Sequence, residues 1–495
     1  MSNSPALGTP FLKESRADVA IIGSGVIGAT IARELSKYRL NTILIDKEAD
    51  VGWGVTKANT GLIHAGYGED PHTLRGKLCA PGNRIYQQLC EELEVPFKRI
   101  GSVVVSFKKE EIQTLYELEN HAKICGVPET RILKKDELHG MVPHLTPDAV
   151  YGFYAPTAAI ISPYGLTIAL VESAKANGVN VLLETKVLGL KRNRQGIILN
   201  TSSGDIHTNF VINAAGLWAD EISAMSGEKE FDIHPRKGEY IIFDDTIGEI
   251  TDKIIFPVPT PVSKGIVFVP FVEGNYAVGP TAEDTEDKED LSTSFKGLKK
   301  VLNFAEFFFQ EIPFKRYIIN NFCGLRPIAD ENDFIIRPSY NMKGLIHVAG
   351  IQSPGLTAAP AIASMVMDIL MDQGLKLTLN PYFNPIRRAI PQIKGSEYKT
   401  KEKLIEGDPR YGHIVCRCET VSEAEVIEAI RRGATTLDGV KFRTRCGMGR
   451  CQGGFCTPRI MEILSRELHI PLEEISKRNK ESWLIKDKVL GSDNV

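Results

Sequence analysis

The sequence has no excess of positive charge. Its 59 Lys and Arg stand against 62 Asp and Glu, a net of −3. No bulk positive field exists to hold nucleic acid or an anionic membrane surface. Long apolar runs are missing as well: no stretch approaches the roughly 18 residues of a membrane span. Met1 to Asp18 is polar, carries Pro5, Pro10, Lys13, Glu14 and Arg16, and has no apolar core of signal-peptide length. No membrane span is expected, and a cytoplasmic location is. An even cysteine count is also lacking. Nine cysteines in a chain without a signal argue against a disulfide framework and for a metal or redox site. Internal repeats and low-complexity tracts are absent.

What is present is ordinary globular material. The 495 residues are 43% hydrophobic and 24% charged, enough for a large core. At roughly 150 residues per domain, about three domains are expected.

Asp18–Ile22 reads as a short apolar strand that runs into Gly23-Ser-Gly25-Val-Ile-Gly28. An amphipathic helix follows, with Ile31, Leu35 and Tyr38 on one side, and Asn41–Ile45 is a second buried strand ending on Asp46. This is a complete βαβ unit with parallel strands. Gly23 permits a tight turn, Gly25 lets the backbone approach a pyrophosphate, and Gly28 lets the helix pack on the strand. The helix N-terminus presents free N–H groups to a diphosphate. Asp46 stands where a carboxylate accepts from ribose hydroxyls. A Gly-rich turn without a ligand is the bland alternative.

Further along, Gly101–Ser106 and Lys237–Phe243 read as strands and Leu291–Gln310 as a helix. Ile254–Gly279 is β-rich, with Pro257, Pro259, Pro261 and Pro270 marking short edge strands. Val211–Gly216 and Leu345–Gly350 return to the first sheet, and Ala358–Met371 is an amphipathic helix. Val348 to Thr357 is then a strand, a glycine turn and a helix start. Such a helix N-terminus suits negative charge on a reduced flavin ring, although a plain connection has the same pattern. Residues 381–410 read as a linker, rich in Lys, Glu and Gly from Pro391 to Arg410. Beyond it, Ser422 and Glu425 form a capping box for a helix that stops at Gly433.

Cys416-Arg-Cys418 is a C-x-C pair, followed by Cys446, Cys451 and Cys456 at five-residue intervals. Four thiolates hold either zinc or a [2Fe–2S] cluster. Lys441, Arg443, Arg445, Arg450 and Arg459 surround them without an acid from 441 to 460, a shell that suits either centre.

Taken together, residues 18 to about 372 resemble the FAD-dependent oxidoreductases of the D-amino-acid-oxidase-like superfamily, on the branch of the glycerol-3-phosphate dehydrogenases and oxidases. The segments that carry the resemblance are Val19–Gly28, Ala58–Tyr67, Ile161–Gly165, Asn213–Gly216, Arg236–Tyr240, Ser263–Gly265, Gly279–Ala282, Gly324–Pro327 and Ala349–Ala359. Residues 414–465 resemble the bacterioferritin-associated-ferredoxin type of [2Fe–2S] domain, most clearly in Thr444–Cys456.

The resemblance implies a fold class of α/β with α+β: a Rossmann-like FAD-binding domain interleaved with a β-rich substrate domain, plus a small helical C-terminal iron–sulfur module. The oxidoreductase would occupy residues 1–380. Its FAD-binding lobe would take about 16–90, 150–225 and 325–380, and its substrate lobe about 91–149 and 226–324. The iron–sulfur domain would take 411–495. The implied cofactor contacts are Gly23, Gly25, Gly28, Asp46, Lys47, Thr60, Gly61, Val187, Ala215, Gly216, Gly350, Gly355, Leu356 and Thr357.

His64, in Gly61-Leu-Ile-His64-Ala-Gly66, is the implied catalytic base, a task that suits histidine because the unperturbed imidazole titrates near pH 6.5. Without the resemblance, a hydrogen bond from His64 to a backbone carbonyl is as good a reading. Arg326 offers a planar fork to phosphate or carboxylate, against the alternative of a structural salt bridge. Lys264 is a second anion-binding candidate, or a solvated surface charge. Ser353 is a substrate contact, or only a helix cap. Cys416, Cys418, Cys451 and Cys456 are the implied cluster ligands, with Cys446 left over. The expected activity is oxidation of glycerol 3-phosphate to dihydroxyacetone phosphate, with electrons leaving through the cluster to a partner subunit that is a flavoprotein or membrane-linked. Such a partner would place the protein at the inner face of the membrane. A 2-hydroxy-acid (2-hydroxyglutarate-like) or amine dehydrogenase is the second reading, and a non-catalytic FAD/iron–sulfur electron carrier the third.

Overall fold

The computed structural model describes residues 15–260 and 265–486. Tertiary contacts divide them into two compact units. The larger contains residues 15–46 and 51–387, the smaller Lys47–Asp50 and residues 388–486.

The larger unit is built on two sheets. The first has eight strands, in the order Val187–Asn193, Gly196–Thr201, Gly204–Asn213, Ser15–Ile22, Thr42–Ile45 and Asn180–Leu182. Leu345–Ala349 joins it along Gly204–Asn213, and Ile335–Pro338 pairs with Leu345–Ala349. Val19, Ala20 and Ile21 have no exposed surface, as an apolar strand covered on both faces requires. Four parallel strands end nearly level: Ile22 pairs with Ile45 and with Asn213, and Asn213 pairs with His347. The Gly23 turn, Asp46, the Ala214–Gly216 turn and the Gly350 turn therefore all leave from the carboxyl edge of one sheet. Ligands of open α/β sheets bind at that edge.

The second sheet has nine strands, contributed by residues 102–155 and 233–329. Phe243, Phe268, Phe308, Phe309 and Phe314 fill its core, and the helix Phe295–Phe308 adds Val301 and Ala305. Its strand Tyr151–Ala155 pairs with Ser102–Ser106. Its buried Phe153 and Ala155 share a core cluster with Val104 of that partner. A third, small sheet joins Leu62–Ile63, Ala159–Ile161 and Phe97–Arg99.

The helix Gly355–Asp372 is long and apolar enough to cross a membrane by length and composition, yet 61% of it is buried. It packs against the helix Leu74–Leu93, where a Cβ on Gly82 would lie 2.2 Å from the Thr357 carbonyl. Its apolarity reflects a place in the core of this unit.

The smaller unit has a two-stranded hairpin, Ile414–Cys416 with Val421–Ser422, and the helices Glu423–Arg431, Leu437–Thr444 and Thr457–Leu468. Ser422 caps the first of these, and Glu425 Oε2 accepts from the Ser422 N–H at 2.8 Å. The stretch 381–410 is more structured than a linker. Ile390 packs into the core of the smaller unit, Ile393 is buried, and Tyr398–Gly407 is helical. The abundant Lys, Glu and Gly of this stretch hide two well-spaced apolar anchors. The mixed fold class expected from the sequence is what the chain adopts.

Candidate functional site

The glycine turn after the first strand is sterically closed to any side chain. Gly23 has φ +104°, and a Cβ there would lie 2.3 Å from the Ala214 carbonyl oxygen. A Cβ on Gly28 would lie 1.9 Å from the Gly23 carbonyl oxygen, so the helix Val26–Ser36 is pressed onto the turn. That helix begins at Gly25 with no side-chain cap. One first-turn donor is satisfied from outside: Val26 N–H donates to Thr56 Oγ1 at 3.0 Å. Asp46 Oδ2 accepts from the Ser24 N–H at 2.7 Å and from the Ser24 hydroxyl at 2.6 Å, which fixes the carboxylate beside the turn.

Ala215, Gly216 and Gly350 also follow strands that end at this edge. Ala215 and Gly216 follow the strand that ends at Asn213, and nothing lies within 4 Å of a Cβ built on Gly216. Val187 is buried in one cluster with Ile22, Ile45 and Leu182, and Ala215 packs on that cluster. Lys47 belongs to the smaller unit. Thr60 is buried. Gly61 has φ +66°, and a Cβ would lie 1.9 Å from the Ile161 carbonyl oxygen. Gly350 has φ +65° and abuts Ala329. Gly355 opens the helix Gly355–Asp372, again with no side-chain cap. Two uncapped helix starts and glycine-lined backbone at one sheet edge fit a dinucleotide with a diphosphate and an electron-rich ring.

His64 lies at this second helix start. Its N–H donates to Thr357 Oγ1 at 2.9 Å, and its carbonyl accepts from Asn83 Nδ2 at 2.8 Å. With the backbone held on both sides, His64 Nε2 lies 3.2 Å from Ser353 Oγ. Ser353 is exposed and His64 half-buried, so the pair is open to a small molecule. The Phe256 ring lies 6.1 Å from the imidazole. Tyr86 OH donates to the Leu356 carbonyl, which ties Leu356 to the helix Leu74–Leu93. Asn83 and Tyr86 escaped the sequence reading. The available signal was a buried Asn on the apolar face of a helix.

Arg326 stands on the strand Ile318–Ala329, opposite Arg236. Among the described residues it has no carboxylate within ion-pairing distance, so it is not held by a salt bridge. Its guanidinium donates instead to the carbonyls of Lys237, at 3.1 Å, and Thr281. Its Nε is buried with no hydrogen-bond partner, and burial pulls its pKa below the ordinary arginine value. A buried cation with an unused donor fits an anionic ligand. Lys264 lies outside the described residues.

In the smaller unit, the Sγ atoms of Cys416, Cys446 and Cys456 lie within 4.8 Å of one another. Cys418 and Cys451 form a second pair, with Sγ atoms 3.7 Å apart. The triad is buried and Cys418 is exposed. Hydrogen bonds from Cys446 and Cys456 hold the Cys416 thiol well below its usual range. Cys446, set aside in the sequence reading, thus sits with two of the four expected ligands. Soft sulfur donors gathered this closely fit an iron–sulfur centre.

Residues 18–369 match the family of FAD dependent oxidoreductases. The chain belongs to that family. It is an FAD-dependent oxidoreductase, and residues 414–466 match the BFD-like [2Fe-2S] binding domain, so its cofactors are FAD and a [2Fe–2S] cluster. A glycerol 3-phosphate dehydrogenase of Caloramator mitchellensis is 46% identical over 470 residues, 94% of this chain and 98% of that protein. A glycerol 3-phosphate oxidase of Mycoplasma pneumoniae is 31% identical over 377 residues, 74% of this chain and 97% of that protein. The FAD-bound, dithionite-reduced structure of L-alpha-glycerophosphate oxidase from Mycoplasma pneumoniae superposes with a TM-score of 0.73 at 29% identity, over 77% of this oxidoreductase and all of that chain.

Proposed function

We propose that this oxidoreductase converts glycerol 3-phosphate to dihydroxyacetone phosphate and passes the electrons through its cluster to a partner acceptor. FAD, when bound, would supply the two-electron acceptor for the hydride of the carbinol C–H bond. His64 Nε2 accepts the carbinol hydroxyl proton, and Ser353 Oγ, 3.2 Å away, holds the imidazole and the hydroxyl in register. Thr357 and Asn83 fix the His64 backbone, so the base does not swing away between turnovers. Arg326 binds the phosphate through its guanidinium, which no carboxylate pairs among the described residues. Gly23, Gly25, Gly28 and Asp46 hold the dinucleotide, with Thr60, Gly61, Val187, Ala215, Gly216, Gly350, Gly355 and Leu356 completing its walls. Cys416, Cys418, Cys451 and Cys456 hold the cluster.

The observation that carries this reading is the His64–Ser353 pair at an uncapped helix start. The 46% identity to a glycerol 3-phosphate dehydrogenase over nearly the whole chain favours this substrate. A two-electron flavin fused to a one-electron centre favours an electron-accepting partner, either a flavoprotein or a membrane-linked subunit. Nine thiols outside any disulfide suit a cytoplasmic site, reached by such a partner at the inner face of the membrane.

The test is anaerobic mixing of the holoprotein with glycerol 3-phosphate, 2-hydroxyglutarate or proline. Rapid bleaching of the flavin by glycerol 3-phosphate alone is expected. Bleaching by either of the others in its place would overturn the assignment. If dithionite alone bleached it, the chain would be an electron carrier.

A further inference from the structure

Five thiols share a module whose cluster takes four, and they do not share it evenly. Around a tetrahedral metal with metal–sulfur bonds of about 2.3 Å, two thiolates lie about 3.7 Å apart. Cys418 and Cys451 meet that spacing, at 3.7 Å, and so form the seat of one iron. Cys418 is exposed, which makes this the outer seat. Three thiols stand at the other: Cys416, Cys446 and Cys456, all within 4.8 Å and only 1%, 1% and 2% exposed.

The backbone, not chance, puts Cys446 there. Arg445 before it is left-handed at φ +67°, and Gly447 after it has φ +90°. The Cys446 N–H donates to Thr444 Oγ1 at 3.2 Å. The turn thus presents the Sγ to the other two, inside the core that also holds Val415, Ile460 and Leu464.

We infer that Cys446 is a substitute ligand for the inner iron, and that the outer iron has none. When Cys416 or Cys456 supplies no sulfur, the Cys446 thiol loses its proton to solvent and its sulfur forms the missing Fe–S bond. No electron is transferred in the exchange. The inner seat thereby tolerates loss of one ligand, and the outer seat does not.

The test uses the full chain, purified and reconstituted anaerobically, with iron and sulfide content and the dithionite-reduced electron paramagnetic resonance spectrum as readouts. Flavin content of each variant reports that the larger unit has folded, and thermal melting followed by circular dichroism reports that the smaller one has. Cys446→Ala is expected to keep the wild-type iron content and spectrum. Cys456→Ala should keep about half or more of the iron with altered g values, and Cys456→Ala with Cys446→Ala should fall about tenfold below that. Cys451→Ala should lose its iron whether or not Cys446 is present. Cys416→Ala repeats the inner-seat test from the other ligand. Three results would overturn the inference: iron lost from Cys446→Ala alone, equal loss from Cys456→Ala and its double variant, or iron retained in Cys451→Ala as well as in Cys456→Ala.

Discussion

His64 and Ser353, 289 positions apart in the chain, meet at 3.2 Å between imidazole Nε2 and hydroxyl Oγ. The contact gives the two residues separable roles. Removing the base removes general-base catalysis, worth about 10²- to 10⁴-fold. Removing the hydroxyl removes one neutral hydrogen bond, worth about 1 kcal/mol. His64→Ala should therefore slow anaerobic flavin bleaching by glycerol 3-phosphate about 10²-fold or more. Ser353→Ala should slow it only about fivefold. Equal rates in His64→Ala and wild type would remove His64 from the chemistry.

Arg326, proposed to hold the anionic end of the substrate, should make a different kind of contribution. Charge-assisted bonds are worth about 1.5–3 kcal/mol each, so Arg326→Ala should raise the KM for glycerol 3-phosphate by about 10- to 150-fold. Competition by inorganic phosphate should weaken in parallel. Arg326→Lys keeps the charge but not the fork, and should recover only part of the loss. The guanidinium also bonds the Lys237 and Thr281 carbonyls, so thermal melting separates a packing defect from lost binding. A KM unmoved in a stable Arg326→Ala protein would contradict the assignment.

Much of this architecture is legible in the chain itself. The strand–glycine–helix pattern at Asp18–Gly28 is local in its order, and Gly28 answers to the Gly23 carbonyl five residues before it, so the turn can be read from the sequence, whereas the Ala214 carbonyl that closes Gly23 to a side chain is brought by tertiary packing. The Ser422–Glu425 capping box is local in the same way. Asn83 is not. Its value lies in two carbonyls, of His64 and Thr157, brought to it by tertiary packing. Ile390 and Ile393 are anchors whose apolar signal is diluted by charged neighbours, and a reading weighted by composition passes over them. The five cysteines announce a metal centre by number and type. Their division into a buried triad and an exposed pair depends on the Arg445–Gly447 turn, whose left-handed backbone at a non-glycine residue leaves little trace in composition.

The buried network behind the first sheet predicts a pH dependence of stability. His347 has no exposed surface. Its Nδ1 pairs with Asn213 Nδ2 at 3.1 Å and its Nε2 with Glu230 Oε1 at 3.3 Å. Burial pushes its pKa below the ordinary 6.5, against the opposing pull of Glu230 and together with the repulsion of Arg337. Between the lowered folded value and 6.5, the unfolded chain binds more protons than the folded one. Stability therefore rises with pH across that window and is lost as pH falls through it. Melting temperature should drop more steeply from about pH 7 to pH 5 in the wild type than in His347→Gln. Parallel curves would assign the acid sensitivity to other groups.

The two halves of the catalytic cycle are separable by substitution. Cys418 and Cys451 hold the exposed side of the cysteine centre, beside the exposed Arg417 and Phe455. The hydrogen bonds given above for His64, Ser353 and Arg326 are all made within the larger unit. Loss of the cluster through Cys451→Ala should therefore act on the oxidative half-reaction. Electrons delivered by substrate should bleach the flavin in a single anaerobic turnover, at a rate within about threefold of wild type, while steady-state transfer to a one-electron acceptor falls by about 10²-fold. His64→Ala should show the opposite pattern, with bleaching slow and the cluster still reducible by dithionite. Stopped-flow absorbance and acceptor-linked turnover on the same preparations measure both. If Cys451→Ala turned over with a one-electron acceptor as fast as the wild type, the electrons would leave directly from the flavin, and the fused cysteine module would serve some purpose other than their exit.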